Sequence, residues 1–258
     1  MRGSPLTRGG MLAAGGVGAL TFLGAFFGWS VLGVGSAFLI VFGFFVTSVG
    51  LSRVGVERKR RLEEVEKGGP RDAWQVAANG GIATLCAIAA GIVALTHGAP
   101  RAAYALFWAF TGAYAVATAD TWATEIGSAF GGVPRSIVGF APVPRGRSGG
   151  VSLLGSIAML AGAAWIGALW AAAKTSVVAF LIVTFAGTAG TLVDSLLGAT
   201  LQRTFVCRGC DKVTEATLHD CGTPSVVRRG ISWMTNDAVN ALATFAGALV
   251  AGGLSLIA

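Results

Sequence analysis

Long uncharged apolar runs alternate with short polar segments along the whole chain. A helix needs about 20 apolar residues to cross the roughly 30 Å hydrocarbon core of a bilayer, and each run is about that long. The pattern predicts an all-α fold, a polytopic helical membrane protein with about seven transmembrane helices in a single domain, residues 1–258. The predicted spans are residues 10–28, 31–50, 74–96, 101–119, 150–172, 176–200 and 231–257.

The segments between these spans differ in length. Only a few residues join the first two spans, so we expect them to form a helical hairpin. A re-entrant hairpin is the alternative, and it would change the number of crossings. We expect the longer polar loops at residues 52–73, 129–149 and 202–230.

Composition supports a membrane protein and excludes an ordinary soluble domain. The chain is 54% hydrophobic and 12% charged, with a mean hydropathy of +0.71. Its 39 glycines are typical of membrane helices that approach one another closely. The bilayer is therefore the first expected partner, and a homo-oligomer is left open.

The net charge of +7 would indicate nucleic-acid binding in a soluble protein. Here the distribution of charge gives a better explanation, and we expect no nucleic-acid partner. Among the 19 Lys and Arg residues, only Arg101 and Lys174 lie outside the amino-terminal lead and the three long loops. The positive-inside rule then places the amino terminus and the long loops in the cytoplasm, with the carboxyl terminus outside. We expect a prokaryotic plasma membrane, with the active site facing the cytoplasm.

Four helix ends on this predicted cytoplasmic side carry polar faces with helical spacing. Acids beside a membrane helix are costly, which favours a functional role. The plainer alternatives are polar side chains that only bond to one another, and a solvated helix end that marks the bilayer boundary. The four sets are Arg71, Asp72, Gln75 and Asn79; Asp120, Thr121, Thr124, Glu125 and Ser128; Asp194, Ser195, Gly198 and Gln202; and Asn236, Asp237, Asn240 and Thr244.

The residue types in these faces suit a divalent cation and phosphate. Carboxylate and amide oxygens are ligands for Mg²⁺, which commonly takes one or two carboxylates plus substrate phosphates. The stretch PRGRSGG adds Arg145 and Arg147 as phosphate ligands, and Gly149 and Gly150 precede a predicted helix start with Ser152 just inside it. Close helix packing is the alternative explanation of the two glycines. The predicted Mg²⁺ ligands are Asp120, Glu125, Asp194 and Asp237.

The loop CRGCDKVTEATLHDCG contains three cysteines and one histidine. Cys-x₂-Cys followed by His-x-Cys supplies the ligand types and number of a structural zinc site, although the second pair is closer than in most zinc modules. Free thiols or redox chemistry are the alternatives, and a reducing cytoplasm argues against a disulfide. The four candidate zinc ligands are Cys207, Cys210, His219 and Cys221.

Five motifs taken together resemble a known family: GGPRDAWQVAANGG, ADTWATEIGSAFG, PRGRSGGVSLLGS, GTLVDSLLGATLQ and WMTNDAVNALAT. They are similar to an integral membrane family, long of unknown function, that includes the phytyl-phosphate kinase of plant tocopherol synthesis. The match covers residues 52–245 with the motifs in family order. One departure is that Arg147 and Ser148 stand where the family often has Thr-Asn, which leaves the preference for nucleotide or acceptor open.

The resemblance implies transfer of a phosphoryl group from a nucleoside triphosphate, with CTP expected, to an isoprenoid monophosphate. For this reaction we assign catalytic roles to Asp120, Glu125 and Asp194, and nucleotide phosphate binding to Arg145, Arg147, Gly149, Gly150 and Ser152. Arg71, Asn79, Asn236, Asp237 and Asn240 would bind the acceptor. A transporter or channel, and a CTP-dependent cytidylyltransferase acting on a lipid phosphate, are the two alternative functions.

Overall fold

Among the residues that the structure describes, seven helical spans are long and apolar enough to cross a membrane, and they make up most of the protein. The computed structural model describes residues 6–59, 71–97, 100–219 and 221–257, with the side chains of 28–33, 57 and 97 left out; most of the predicted 52–73 loop thus lies outside the described residues. The helices are α1 (Arg8–Ser52), α2 (Val56–Lys59), α3 (Ala73–His97), α4 (Pro100–Phe130), α5 (Leu153–Lys174), α6 (Val177–Thr200) and α7 (Asn236–Leu254).

Helix α1 contains the first two spans, Arg8–Phe27 and Val34–Ser52. Helical backbone continues between them, yet the rings of Phe22 and Phe38 lie only 6.2 Å apart, centroid to centroid. In a straight helix two residues this far apart in sequence would be separated by about 24 Å. The chain therefore reverses between the two spans, and the predicted helical hairpin is confirmed.

Helix α4 is the centre of the bundle and contacts α1, α3, α5, α6 and α7. Of its apolar span, 72% is buried inside the protein, against 39% or less for each other span. Small residues allow this enclosure, because they let helix backbones approach closely. A Cβ on Gly162 of α5 would lie 3.0 Å from Ala119 Cα, and one on Gly187 of α6 would lie 2.9 Å from Ala115 Cβ, both on α4.

Short antiparallel sheets form at two of the predicted polar loops, and the first extends into residues 150–151, which were predicted to start a span. In the first, Arg135 pairs with Val151, and Ser136 pairs with Gly150. The second has the strand order β4-β3-β5. The strands are β1 (Arg135–Ser136), β2 (Gly150–Val151), β3 (Thr204–Cys207), β4 (Val213–Thr214) and β5 (Ser225–Arg229).

The end of α4 and the start of α7 differ from the predicted positions. Helix α4 continues past residue 119 to Phe130, so the acidic motif is helical throughout. Helix α7 begins at Asn236 rather than 231, because the Thr235 side chain caps it by accepting the Ala238 N–H at 3.3 Å.

Replacing Gly112 with alanine tests the enclosure of α4. The new Cβ would lie 2.4 Å from Gly247 O and 2.6 Å from Ala251 Cβ, both on α7. We expect this overpacking to lower the free energy of unfolding by ~1–3 kcal/mol. Gly81→Ala is the matched control, because a Cβ there meets nothing within 4 Å. Thermal melts in detergent should show a lower Tm for Gly112→Ala only; equal shifts in the two variants would contradict the packing argument.

Candidate active site

A cavity of about 1630 Å³ opens at the end of the bundle where α4 ends and α3, α5 and α7 begin. Residues with predicted catalytic, nucleotide-binding or acceptor-binding roles come from five separate segments, and every one of them lines this cavity. They are Arg71, Asn79, Asp120, Glu125, Arg145, Arg147, Gly149, Gly150, Ser152, Asp194, Asn236, Asp237 and Asn240.

The carboxylate of Glu125 is not isolated in this cavity. Its Oε2 forms an ion pair with Nζ of Lys59, and both side chains are more than four-fifths buried. Lys59 also donates to the carbonyl oxygens of Leu51 and Ser52, at 3.3 and 3.1 Å. The end of α1 is thus tied to the last turns of α4, and a cation already occupies one oxygen of a predicted Mg²⁺ ligand.

Arg71 lies just before α3 and shares this environment. Burial lowers the pKa of its guanidinium, while the charges of Glu125 and Asp120 act in the opposite direction. Its carbonyl oxygen accepts the Thr7 N–H at 3.1 Å, which fixes the start of α1 beside the start of α3. A cationic group and two carboxylates therefore meet at one side of the cavity.

The polar face at the start of α3 divides into a cap and a cavity-facing part. Asp72 N–H donates to Gln75 Oε1 at 3.1 Å, and Gln75 N–H donates to Asp72 Oδ1 at 2.9 Å. This reciprocal pair is a capping box. Asn79, one turn further, donates to Gln75 O at 2.8 Å and lines the cavity. Asp72 thus has a structural role.

The glycine turn before α5 packs tightly against α6. Gly149 has φ +76°, and a Cβ there would lie 2.5 Å from the Ala199 backbone nitrogen. Ser152 is the cap of α5 rather than a residue inside it, because its Oγ accepts the Gly155 N–H at 3.1 Å. Close packing, the alternative explanation of the glycines, therefore accounts for Gly149, while the turn still lines the cavity.

The arginines of the same loop are held in different ways. Arg145 Nε donates to Gly132 O at 2.6 Å, which anchors its guanidinium at the cavity rim. Arg147 lies close enough to Arg229 to affect it: burial lowers the pKa of Arg229, Arg147 and Arg228 lower it further, and Glu215 opposes them. This side of the cavity is strongly positive.

Helices α6 and α7 contribute the remaining acids and amides. Asp194 and Ser195 come from α6, and Asn236, Asp237 and Asn240 from the first turns of α7. One carboxylate oxygen of Asp194 and one of Asp237 are buried.

The acids that line the cavity do not form a ready-made metal cage. Within the described ranges, the group of three or more Cys, His, Asp or Glu side chains close enough to hold one ion is Cys207, Cys210, His219 and Cys221. The separate carboxylates around the cavity instead fit the other mode of Mg²⁺ binding, in which one or two carboxylates share the ion with substrate phosphates.

The two spans of α1 give the cavity an apolar wall. Aromatic and aliphatic side chains from both spans face it, beside the polar residues of the helix ends. The wall includes Ala14, Val17, Phe22, Phe38, Val41, Phe42, Phe44, Phe45 and Val49.

Several cavity residues were missed by sequence reasoning. Lys59 sits in a run of mixed charge whose individual members carry no positional signal. Glu215 lies between two candidate metal ligands, in a segment without helical spacing, yet it accepts hydrogen bonds from Ser148 Oγ and Gln202 Nε2, both at 2.6 Å. Only the tertiary structure shows these partners.

The fold and the cavity define a class: an integral membrane protein of helical spans with a polar cavity at one end of the bundle. A family profile described as "Integral membrane protein DUF92" matches residues 2–248. The chain belongs to this family, and the resemblance seen in its motifs is confirmed.

Named relatives come from plants and archaea. Protein PGR of Arabidopsis thaliana is 36% identical over 196 residues, which cover 69% of this chain and 67% of that protein. Uncharacterized membrane protein MJ0933 of Methanocaldococcus jannaschii is 33% identical over 168 residues, 64% of this chain and 65% of its own length. Protein VTE6, chloroplastic, of Arabidopsis thaliana is 27% identical over 264 residues, 96% of this chain and 66% of that protein. No solved structure matches the chain.

Gly149→Ala tests the turn that carries the basic loop. Gly139 is a matched control, since its φ is +78° and a Cβ there meets nothing within 4 Å. Both variants should lose about 1 kcal/mol of stability from the positive φ. Gly149→Ala should lose a further ~1–3 kcal/mol, because the Cβ overlaps the α6 backbone. Thermal melts of the two purified variants make the comparison, and indistinguishable Tm values would refute the contact.

Proposed function

We propose that this protein is a membrane-embedded kinase that transfers a phosphoryl group from CTP, or another nucleoside triphosphate, to an isoprenoid monophosphate such as phytyl or geranylgeranyl phosphate. The product is the isoprenoid diphosphate. The observation that carries this proposal is the composition of the cavity, in which a wall of apolar side chains from α1 meets a ring of acids, amides and arginines. An acceptor with a hydrocarbon tail and a phosphate head has the same two-part chemistry.

The reaction needs positioning and charge neutralisation more than covalent help. An oxygen of the acceptor phosphate attacks the γ-phosphorus of the nucleotide, the bond from that phosphorus to the β-phosphate oxygen breaks, and a nucleoside diphosphate leaves. Because the attacking phosphate is already ionised, no strong general base is required. Asp120 and Asp194 would not abstract a proton in this scheme.

The donor set around the cavity fits a requirement for Mg²⁺. Asp120, Asp194 and Asp237 are the oxygen donors that we assign to the metal, together with nucleotide phosphates. Bound Mg²⁺ would neutralise the charge that develops between the β- and γ-phosphates. Glu125 is also a predicted Mg²⁺ ligand. Its ion pair with Lys59 favours a different role, in which Glu125 orients Lys59 and the neighbouring Arg71 at the phosphates.

The basic residues separate into two groups that suit two phosphate ligands. Arg145, Arg147 and the Gly149–Ser152 turn lie on the loop before α5 and would bind the nucleotide phosphates. Arg71 and Asn79 lie at the start of α3, beside the first span of α1, and would bind the acceptor phosphate. Asn236 and Asn240 of α7 would support the same phosphate as hydrogen-bond donors.

The extent of the cavity favours an enzyme over a transporter. On α4 the lining runs from Tyr114 to Ser128, and on α6 from Thr191 to Ser195, so on these two helices the lining keeps to the half nearer the polar end, while the deeper lining on α1, as far as Phe22 and Phe38, is apolar. A transport pathway would need polar residues through the other half as well. Membership of the family and the similarity to Protein VTE6 also support the kinase proposal. The charges of the loops support an active site that faces the cytoplasm, and we propose a prokaryotic plasma membrane as its location.

Purified protein incubated with CTP, Mg²⁺ and a panel of isoprenyl monophosphates tests the proposal directly. Mass analysis should detect isoprenyl diphosphate together with CDP. Release of pyrophosphate would instead identify a cytidylyltransferase, and a lack of nucleotide consumption across all nucleotides tested would favour transport. Full activity in the presence of a chelator would exclude the Mg²⁺ role.

Asp120→Asn should reduce turnover by about 100-fold or more, because the metal–phosphate assembly loses a charged ligand. The protein should remain folded, since amide and carboxylate have similar shapes. Asp211→Asn is the matched control; Asp211 is exposed and lies outside the cavity lining. Turnover rates are measured alongside thermal melts. Near-normal turnover in Asp120→Asn would remove this residue from the metal site.

Ala14→Phe tests the apolar wall as the site of the hydrocarbon tail. The larger ring should fill part of the cavity and raise KM for geranylgeranyl phosphate about tenfold, with little change for dimethylallyl phosphate. Ala19 lies on the same span but is exposed and outside the lining, so Ala19→Phe is the control. Equal effects on long and short acceptors would place the tail elsewhere.

A further inference from the structure

Four metal-ligating side chains converge in the second sheet region, away from the acids of the cavity. The Cys207, Cys210 and Cys221 sulfurs and a ring nitrogen of His219 all lie within 4.8 Å of one another. The Cys207–Cys221 and Cys210–Cys221 sulfur pairs are 3.4 and 3.9 Å apart. His219 Nδ1 lies 3.1 Å from the Cys221 sulfur and 3.5 Å from the Cys210 sulfur.

These four separations lie within about 0.4 Å of the edges expected for a tetrahedron around zinc. With zinc–sulfur bonds of about 2.3 Å and zinc–nitrogen bonds of about 2.0 Å, neighbouring sulfurs would be about 3.8 Å apart and sulfur and nitrogen about 3.5 Å apart. The three cysteines are free thiols. A disulfide would use only two of the four side chains and would leave the convergence of the others unexplained.

Two tight turns supply the ligands in pairs. In the first turn, Cys207 N–H donates to Lys212 O at 2.9 Å, and Gly209 N–H donates to the Cys207 sulfur at 3.4 Å. An amide that donates to sulfur stabilises a thiolate, the form that binds metal. In the second turn, His219 N–H donates to Thr223 O at 3.1 Å, and the His219 ring lies with Nδ1 beside the Cys221 sulfur. The close His-x-Cys spacing is accommodated because Nδ1, the ring nitrogen nearer the backbone, faces the cluster.

The sheet that carries these turns has little apolar core of its own. In β3 only Phe205 and Cys207 are buried hydrophobic residues, while Val227 in β5 is 60% exposed. A segment this small commonly depends on a metal or disulfides for its stability. A bound ion at the four ligands would join β3, the turn before β4 and the turn before β5.

We propose that Cys207, Cys210, His219 and Cys221 bind one structural Zn²⁺, and that this ion holds Glu215 in the wall of the cavity. Glu215 directly follows β4 and lies between the two ligand pairs in the sequence. Its two carboxylate oxygens accept hydrogen bonds from Ser148 Oγ and from Gln202 Nε2, each at 2.6 Å. Gln202 is 1% exposed and also donates to Ser148 Oγ at 3.1 Å.

This network joins the metal-binding turns to the basic loop of residues 144–150. Loss of the ion would release Glu215 and with it the position of Ser148, the neighbour of Arg147 and Gly149. The metal site stands independently of the kinase reaction. Its effect on nucleotide binding rests on the proposed function.

The first test is the metal content of the full-length protein purified in detergent, washed with chelator and analysed by plasma mass spectrometry. We expect about one zinc per chain, and a cobalt-substituted protein should show the visible absorption of tetrahedral thiolate-bound cobalt. Cys210→Ser and Cys221→Ser should lose the zinc. Cys86→Ser is the matched control and should retain it, since Cys86 lies in α3. Wild-type protein with zinc far below one per chain, whether its thiols are free or oxidised, would overturn the site.

The second test examines the link between Glu215 and nucleotide binding separately from metal binding. Glu215→Gln should keep its zinc, because Glu215 is not a ligand, but should raise KM for the nucleotide about tenfold with a smaller change in kcat. Zinc removal should lower the Tm of the wild type and leave the helical circular dichroism unchanged. Unchanged nucleotide KM in Glu215→Gln would overturn the link to the cavity. Zinc-loaded wild type with no phosphoryl transfer would instead overturn the kinase proposal and leave the metal site intact.

Discussion

Carboxylates cannot face lipid at low cost, and this constraint explains the arrangement of the whole bundle. An acid near the middle of a bilayer costs about 2.5–3.5 kcal/mol on insertion scales, so membrane acids face protein or a polar cavity. Helix α4 carries Asp120 and Glu125, and it is enclosed by α1, α3, α5, α6 and α7. Small residues let the neighbouring helices pack closely around the apolar part of α4. Its last turns line the cavity at the polar end of the bundle.

The same enclosure determines where the remaining polar groups lie. Helices α3, α5 and α7 begin, and α6 ends, at the end of the bundle where α4 ends, so the polar face of each helix meets the others there. The hairpin of α1 packs against these helices and places apolar side chains beside the acids. The order of the helices therefore produces a cavity with one charged wall and one apolar wall. Such a cavity suits an amphiphilic phosphate.

The spans were predictable because lipid demands long apolar helices, and the signal is strong in every one of them. The cavity lining was predictable for a related reason: polar positions with helical spacing at the ends of spans must find one another. The capping role of Asp72 could also have been read from its spacing to Gln75, which matches a capping box. Ser152 is the cap of α5 rather than a residue inside it, because Gly150 and Val151 form β2 and the helix begins only at Leu153.

Other features could not be predicted from local sequence patterns. The strands of the two small sheets have only two to five residues each, too few for an alternating pattern to stand out. The ion pair of Lys59 with Glu125 and the bonds of Glu215 with Ser148 and Gln202 join segments far apart in sequence. Contacts of this kind are fixed by tertiary packing and leave no local pattern in the sequence.

The central claim is that acids on separate helices act on one ligand in one cavity. A double-mutant cycle of Asp120→Asn and Asp194→Asn, measured by calorimetric binding of CTP with Mg²⁺, tests it most directly. If both carboxylates share the site, their effects on binding should be non-additive by more than about 0.5 kcal/mol. Strictly additive effects, or binding that neither substitution changes, would contradict the account.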